Sequence, residues 1–182
     1  MADPGTAVKF IAALKARGVT VREHAGWRTH NRAGHGSWGP LYGVMFHHTA
    51  GVGDGIVDYC YNGSADLPGP VCHGVIGKDG VVTLVGWGRA NHAGGGDPEV
   101  LAAVKAGRTP LPKTNEHEGS GGAVDGNAHF VGFECVNKGD GRDPWTLAQL
   151  TAMKLTAAAV CDLYGWPAKS AIRRISCKPC RR

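Results

Sequence analysis

The run Gly43-Val44-Met45-Phe46-His47-His48-Thr49-Ala50-Gly51 constrains the fold of this chain more than any other stretch. A short apolar run bounded by turn residues reads as a buried strand. This one closes on two imidazoles just before the chain breaks at glycine, so the strand delivers histidines to its C-terminal mouth. Neutral imidazole is the commonest protein metal ligand and a good zinc donor. A hydrogen-bonded pair at the edge of a core has the same signature, and the pair alone does not separate the two.

A second strand of the same strength covers residues 128–137, Ala-His-Phe-Val-Gly-Phe-Glu-Cys-Val-Asn. Alternation puts Phe130, Gly132, Glu134 and Val136 on one face and His129, Val131, Phe133 and Cys135 on the other. A carboxylate inside such an apolar strand is costly unless it is paired. Glu134 therefore has either a chemical role or a basic neighbour.

The other segments supply layers for these strands. Residues 4–17 read as a helix, with Ala7, Phe10, Ile11 and Leu14 on one face, Pro4 in its first turn and Gly18 as its stop. Residues 19–24 alternate as a short strand, and 26–40 form a loop anchored by Trp27. A short helix is expected at 56–61. A hairpin follows, 71–77 and 81–85, about the turn Lys78-Asp79-Gly80. Residues 86–96 are a glycine-rich loop with Asn91 and His92 at its tip; 98–106 are helical, and 108–127 a long polar loop. Residues 145–164 predict an amphipathic helix, with Leu147, Leu150, Met153, Leu155, Ala158 and Cys161 giving apolar contacts. Strands and helices interleave, which points to an α/β fold: a mixed central β-sheet flanked by helices. The 182 residues are read as one domain.

Composition narrows the setting. The net charge of +5 favours anionic surroundings, but part of it sits in Arg173, Arg174, Lys178, Arg181 and Arg182, and no nucleic-acid module with interleaved aromatics is present. No apolar stretch approaches the roughly 18 residues that span a bilayer, so membrane insertion is not expected. No basic segment followed by an apolar core opens the chain, which predicts cytoplasmic synthesis without a leader. Of six cysteines, Cys60, Cys72, Cys135 and Cys161 are expected as free buried thiols, while Cys177 and Cys180 form a C-x-x-C pair, half a zinc site or a redox pair.

Five motifs in order carry a resemblance: Phe-His-His-Thr-Ala-Gly at 46–51, Cys-His-Gly-Val-Ile-Gly-Lys-Asp-Gly at 72–80, Gly-Arg-Ala-Asn-His-Ala-Gly at 88–94, Val-Gly-Phe-Glu at 131–134, and a Trp-led helix ending in Tyr-Gly-Trp at 164–166. The chain resembles the zinc N-acetylmuramoyl-L-alanine amidases of the amidase-2 group, relatives of the peptidoglycan recognition proteins, and most of all endolysins of actinobacterial phages. The likeness runs from about residue 27 to 172. It implies a zinc cleft beside a mixed sheet. It also implies hydrolysis of the amide between N-acetylmuramic acid and L-alanine of the peptidoglycan stem. By the same resemblance His47 is a zinc ligand, Glu134 the general base, and His73, Asn91 and His92 substrate-binding residues. The protein would be a monomer, acting on the cell wall after release from the cytoplasm.

The sequence departs from that family after Ile172. Relatives read roughly Ile-Gly-His there, followed by Asp or Cys beside a proline. Here the chain reads Ala171-Ile172-Arg173-Arg174, and no histidine follows His129. Arginine has no free lone pair for zinc. The basic, cysteine-rich residues 173–182 are what a shifted reading frame would produce. Alternatively Cys177 and Cys180 complete the zinc site with His47, or the domain binds muropeptide without cutting it.

Overall fold

The computed structural model describes residues 2–108, 110–112 and 123–166. Helix α1 (Ala7–Ala16) begins where the Thr6 hydroxyl accepts the amide of Lys9, and it buries Ala7, Phe10, Ile11 and Leu14. Pro4 lies ahead of this cap rather than in the first turn. The sheet is built from β1 (Val21–Glu23), β2 (Gly43–His48), β3 (Gly74–Ile76), β4 (Val82–Leu84) and β7 (Phe130–Cys135), in the order β1-β4-β3-β7-β2. Strands β2, β7 and β3 run parallel; β4 is antiparallel to β3 and parallel to β1. The sheet is thus mixed, as expected, and the 71–85 hairpin forms. A further two-stranded ribbon, β5 (Gly95–Gly96) with β6 (Val124–Asp125), joins two loops and was not legible as strand.

Helix α4 (Leu147–Tyr164) is capped by the Thr146 hydroxyl, which accepts the amide of Gln149. Its buried stripe is Gln149, Ala152, Met153, Thr156, Ala157 and Val160. Leu147, expected as a contact, is 81% exposed. At about 100° per residue it lies roughly opposite Gln149 on the helix wheel. Leu147→Lys is accordingly expected to shift stability by no more than about 0.5 kcal/mol, read from a urea midpoint.

Helices α1 and α4 cover one face of the sheet. There Val44, Phe46, Val131, Phe133 and Cys135 pack with Phe10, Leu14, Met153 and Val160 in one apolar core. Trp27 joins that core and donates its indole N–H to Glu23 Oε2 at 2.8 Å, anchoring the loop that follows β1 as expected. Gln149, fully buried, ties α4 to the sheet by donating to the carbonyls of Ile76 and Val136. A smaller cluster, Cys60, Val71, Cys72, Val75 and Val85, lies under α2 (Ile56–Asn62). Cys60, Cys72, Cys135 and Cys161 are buried thiols. Helix α3 (Pro98–Lys105) starts at Asp97, whose carboxylate accepts the amides of Glu99 and Val100. No described helix is long and apolar enough to cross a membrane.

Candidate active site

The candidate residues gather on the sheet face turned away from α1 and α4. In the β2–β7 ladder Met45 pairs with Gly132 and His47 with Glu134. Paired residues of parallel strands share a face, so His47 and Glu134 stand side by side, each one residue from the C-terminal end of its strand. Ligands in open α/β sheets gather beyond these carboxyl ends. His47 is 9% exposed. On the other flank of Glu134 its register partner on β3 is the apolar Val75.

Glu134 is the unusual member. Its Oε2 is buried and has no hydrogen-bond partner. Burial pushes its carboxyl up to about 8. Native proteins rarely leave a buried carboxyl oxygen unsatisfied, and such an exception calls for a functional account. The alternative of a structural ion pair with a basic neighbour is not what the described residues show at Oε2.

His92 enters from the 86–96 loop. Its Nδ1 lies 3.3 Å from His47 Nε2, and its Nε2–H donates to the carbonyl of Phe130 at 3.0 Å. Burial, and then the neighbouring His47 and His73 rings, hold His92 well below the usual imidazole range, so it is neutral at pH 7. Two features seat the ring. The Asn127 side-chain oxygen accepts the amides of His92, Ala93 and Gly94 at 2.8, 2.7 and 3.3 Å. Beneath the ring is Gly132, where a Cβ would fall 2.3 Å from His92 Nδ1. Asn127, 7% exposed, was not singled out from the sequence; its only signal is the turn-forming run Asp125-Gly126-Asn127, which proves to be a single 3-10 turn. Asn127→Ala leaves three amides without their acceptor. It is expected to cost about 1–3 kcal/mol, with faster amide exchange at residues 92–94 in hydrogen-exchange NMR.

His73 and Asn91 take places other than the cleft-lining ones expected. His73 is fully buried. Its Nε2–H donates to the Gly88 carbonyl at 2.8 Å and its Nδ1 accepts the Gly132 amide at 2.9 Å. Both ring nitrogens are used by backbone, which leaves none for a substrate. Burial lowers its pKa to about 4. Asn91 joins two loops: its amide N–H donates to Pro70 at 2.8 Å and its side chain to the Pro68 carbonyl at 3.3 Å.

His48 is tied to the backbone. Its Nδ1 accepts the Ala50 amide at 3.1 Å, and a Cβ on Gly139 would fall 2.3 Å from the His48 ring. His129 likewise donates from Nδ1 to Pro40 at 3.0 Å. Cys72 is fully buried, with burial raising its thiol well above the ordinary range. Arg89, 9% exposed, holds the loop mouth by pairing with Asp125 at 2.7 Å and donating to the Ser37 carbonyl. Cys177 and Cys180 lie outside the described residues, as does most of the 108–127 loop.

Among the described residues no group of three or more His, Cys, Asp and Glu side chains converges as a metal site. The donors present suit zinc in kind: imidazole nitrogens beside a buried carboxyl oxygen without a partner, at the mouth of a sheet.

A mixed α/β sheet with a buried carboxyl beside an imidazole at its strand ends, matched to its sequence family, is that of an amidase-type enzyme. The description of the amidase-2 family, N-acetylmuramoyl-L-alanine amidase, matches residues 37–178. The chain belongs to that family. The match begins ten residues after the motif-based likeness and runs six residues past its end at 172, into the basic tail. No curated protein and no solved structure matches the chain.

Proposed function

We propose that the protein hydrolyses the amide joining the lactyl group of N-acetylmuramic acid to L-alanine in peptidoglycan, using water activated at a zinc ion, in the manner of a phage endolysin. The observation that carries this reading is the buried, unpartnered Oε2 of Glu134 in register with His47 on the neighbouring parallel strand. His47 would hold the metal, with further donors from Cys177 and Cys180. When bound, zinc supplies a Lewis acid and a water acidic enough to ionise near pH 7.

The rest of the chemistry falls to the chain. A cation held beside Glu134 would favour its ionised form, whose Oε2 would then take a proton from the attacking water and return it to the departing alanine nitrogen. Val75 and the cysteine-lined cluster keep that carboxyl away from bulk water. Asn127, Gly132 and His73 hold the facing loop and strand in place, so the cleft is assembled before substrate arrives.

The test is incubation of the zinc-loaded chain with purified cell walls. New L-alanine amino ends should appear in step with loss of turbidity, without new reducing sugar ends. Wall binding without new amines would replace this reading with that of a non-catalytic muropeptide-binding module. The positive charge of the chain should contribute to wall attachment, and attachment should weaken as salt is raised.

A further inference from the structure

We propose that His92 is a second imidazole donor of the metal site, binding through Nδ1 the same cation that His47 binds through Nε2. This extends the zinc reading above and rests on it. The two nitrogens face each other at 3.3 Å, with ring centroids 5.5 Å apart and planes inclined by 66°. Two zinc–nitrogen bonds of about 2.0–2.1 Å, set at a near-tetrahedral angle, span this separation.

The tautomer of His92 is decided by its other contact. A backbone carbonyl can only accept, so the 3.0 Å bond to Phe130 puts the ring proton on Nε2. The Nδ1 lone pair is then the one aimed at His47. A ligating histidine typically donates its second ring N–H to a carbonyl or carboxylate, which fixes the tautomer and orients the ring. His92 already has that partner.

The ring is also held rather than merely near. Three amides at and after His92 converge on Asn127 Oδ1, and the ring occupies the space that a side chain at residue 132 would fill. His73 has both ring nitrogens on backbone groups, and His48 and His129 each have one bound to backbone. Among the described histidines, His92 is the one whose ring nitrogen faces His47 Nε2 at hydrogen-bond distance.

A hydrogen bond from His47 to His92 would also bring these nitrogens together. The two cases differ in what a metal does to the His92 ring. Full-length chain labelled with nitrogen-15 in its histidines is titrated with zinc and with cadmium-113, and the ring nitrogens are read by long-range proton–nitrogen correlation. The expected result is a stoichiometric shift of both His47 Nε2 and His92 Nδ1 on zinc addition. Each should show one-bond coupling to cadmium-113. A response confined to His47, with His92 Nδ1 unmoved and uncoupled, would overturn the assignment while leaving the zinc reading in place. Absence of any response in either ring would overturn both. His92→Gln supplies a second measurement: competition against a chelator should show metal affinity reduced by at least about 100-fold, beyond the 10–100-fold usual for loss of an outer hydrogen bond. A smaller loss would count against direct ligation.

Discussion

Glu134→Gln is expected to lower amide hydrolysis by about 100-fold to 10,000-fold, the range in which a positioned acid–base group usually contributes. The substitution keeps the shape of the side chain and removes its ability to carry a proton between water and the leaving nitrogen. Release of L-alanine amino ends measures it, with zinc content determined on the same samples. Activity within a few-fold of wild type at equal zinc content would remove Glu134 from the chemistry.

The same variant has a second, opposite effect on the metal-free protein. Burial raises the Glu134 carboxyl from 4.5 to about 8 in the folded state. Between those values the folded chain binds a proton that the unfolded chain has lost, so stability falls as pH rises through the interval. At about 1.4 kcal/mol per unit this amounts to several kcal/mol, reduced by any water that reaches the cleft. His73 has the other sign. Its folded value is about 4 against 6.5 unfolded, so its contribution is present above 6.5 and lost as pH falls towards 4. From 4.5 to 6.5 the two slopes offset each other, and from 6.5 to about 8 Glu134 acts alone. Considering these two groups, wild-type urea midpoints should be nearly level on the acid side and decline towards pH 8. Glu134→Gln should be level above pH 6.5 and decline towards acid. Superimposable profiles would show that the carboxyl is not held protonated in the fold.

Gly132→Ala is the second large effect. Alanine normally suits a strand better than glycine, which packs nothing and costs entropy. Here a Cβ would sit 2.3 Å from His92 Nδ1 and 2.4 Å from its Cγ. The ring cannot simply step aside, because its Nε2 is bound to Phe130 and its backbone to Asn127. The expected cost is about 1–3 kcal/mol, the usual range for overpacking, together with weakened metal retention. Combining Gly132→Ala with His92→Ala should recover most of that stability, giving a coupling of at least about 0.5 kcal/mol. Additive losses in the double variant would mean that the ring does not lie over this glycine.

Much of this arrangement was readable along the chain. The apolar run into His47 and the alternation through Glu134 each predict a strand, and each strand is present. Period-two alternation also places Gly132 and Glu134 on one face, which the sheet bears out. The buried face of α1 was legible residue by residue, whereas of the six contacts expected on α4 only Met153 and Cys161 are buried, and the capping residues Thr6, Asp97 and Thr146 were not singled out. Leu147 failed because an apolar residue at a helix start is assigned to the core by type, whereas its angle around the axis decides its exposure. His73 and His92 looked alike in sequence, each a histidine between small residues near a glycine-rich turn. They differ only in their neighbours: one is enclosed by backbone donors and acceptors, the other turns a lone pair towards His47.

By itself the sequence determined the elements, the faces of the strands, and the presence of a carboxyl and imidazoles on candidate cleft positions. These follow from local periodicity and from the cost of burying charge. Only the tertiary structure decided that β2 and β7 lie side by side in the register that pairs His47 with Glu134, and that a loop some 40 residues upstream of β7 lays His92 on Gly132. Register and loop docking depend on contacts between residues far apart in the chain, and no local pattern encodes a distance between them.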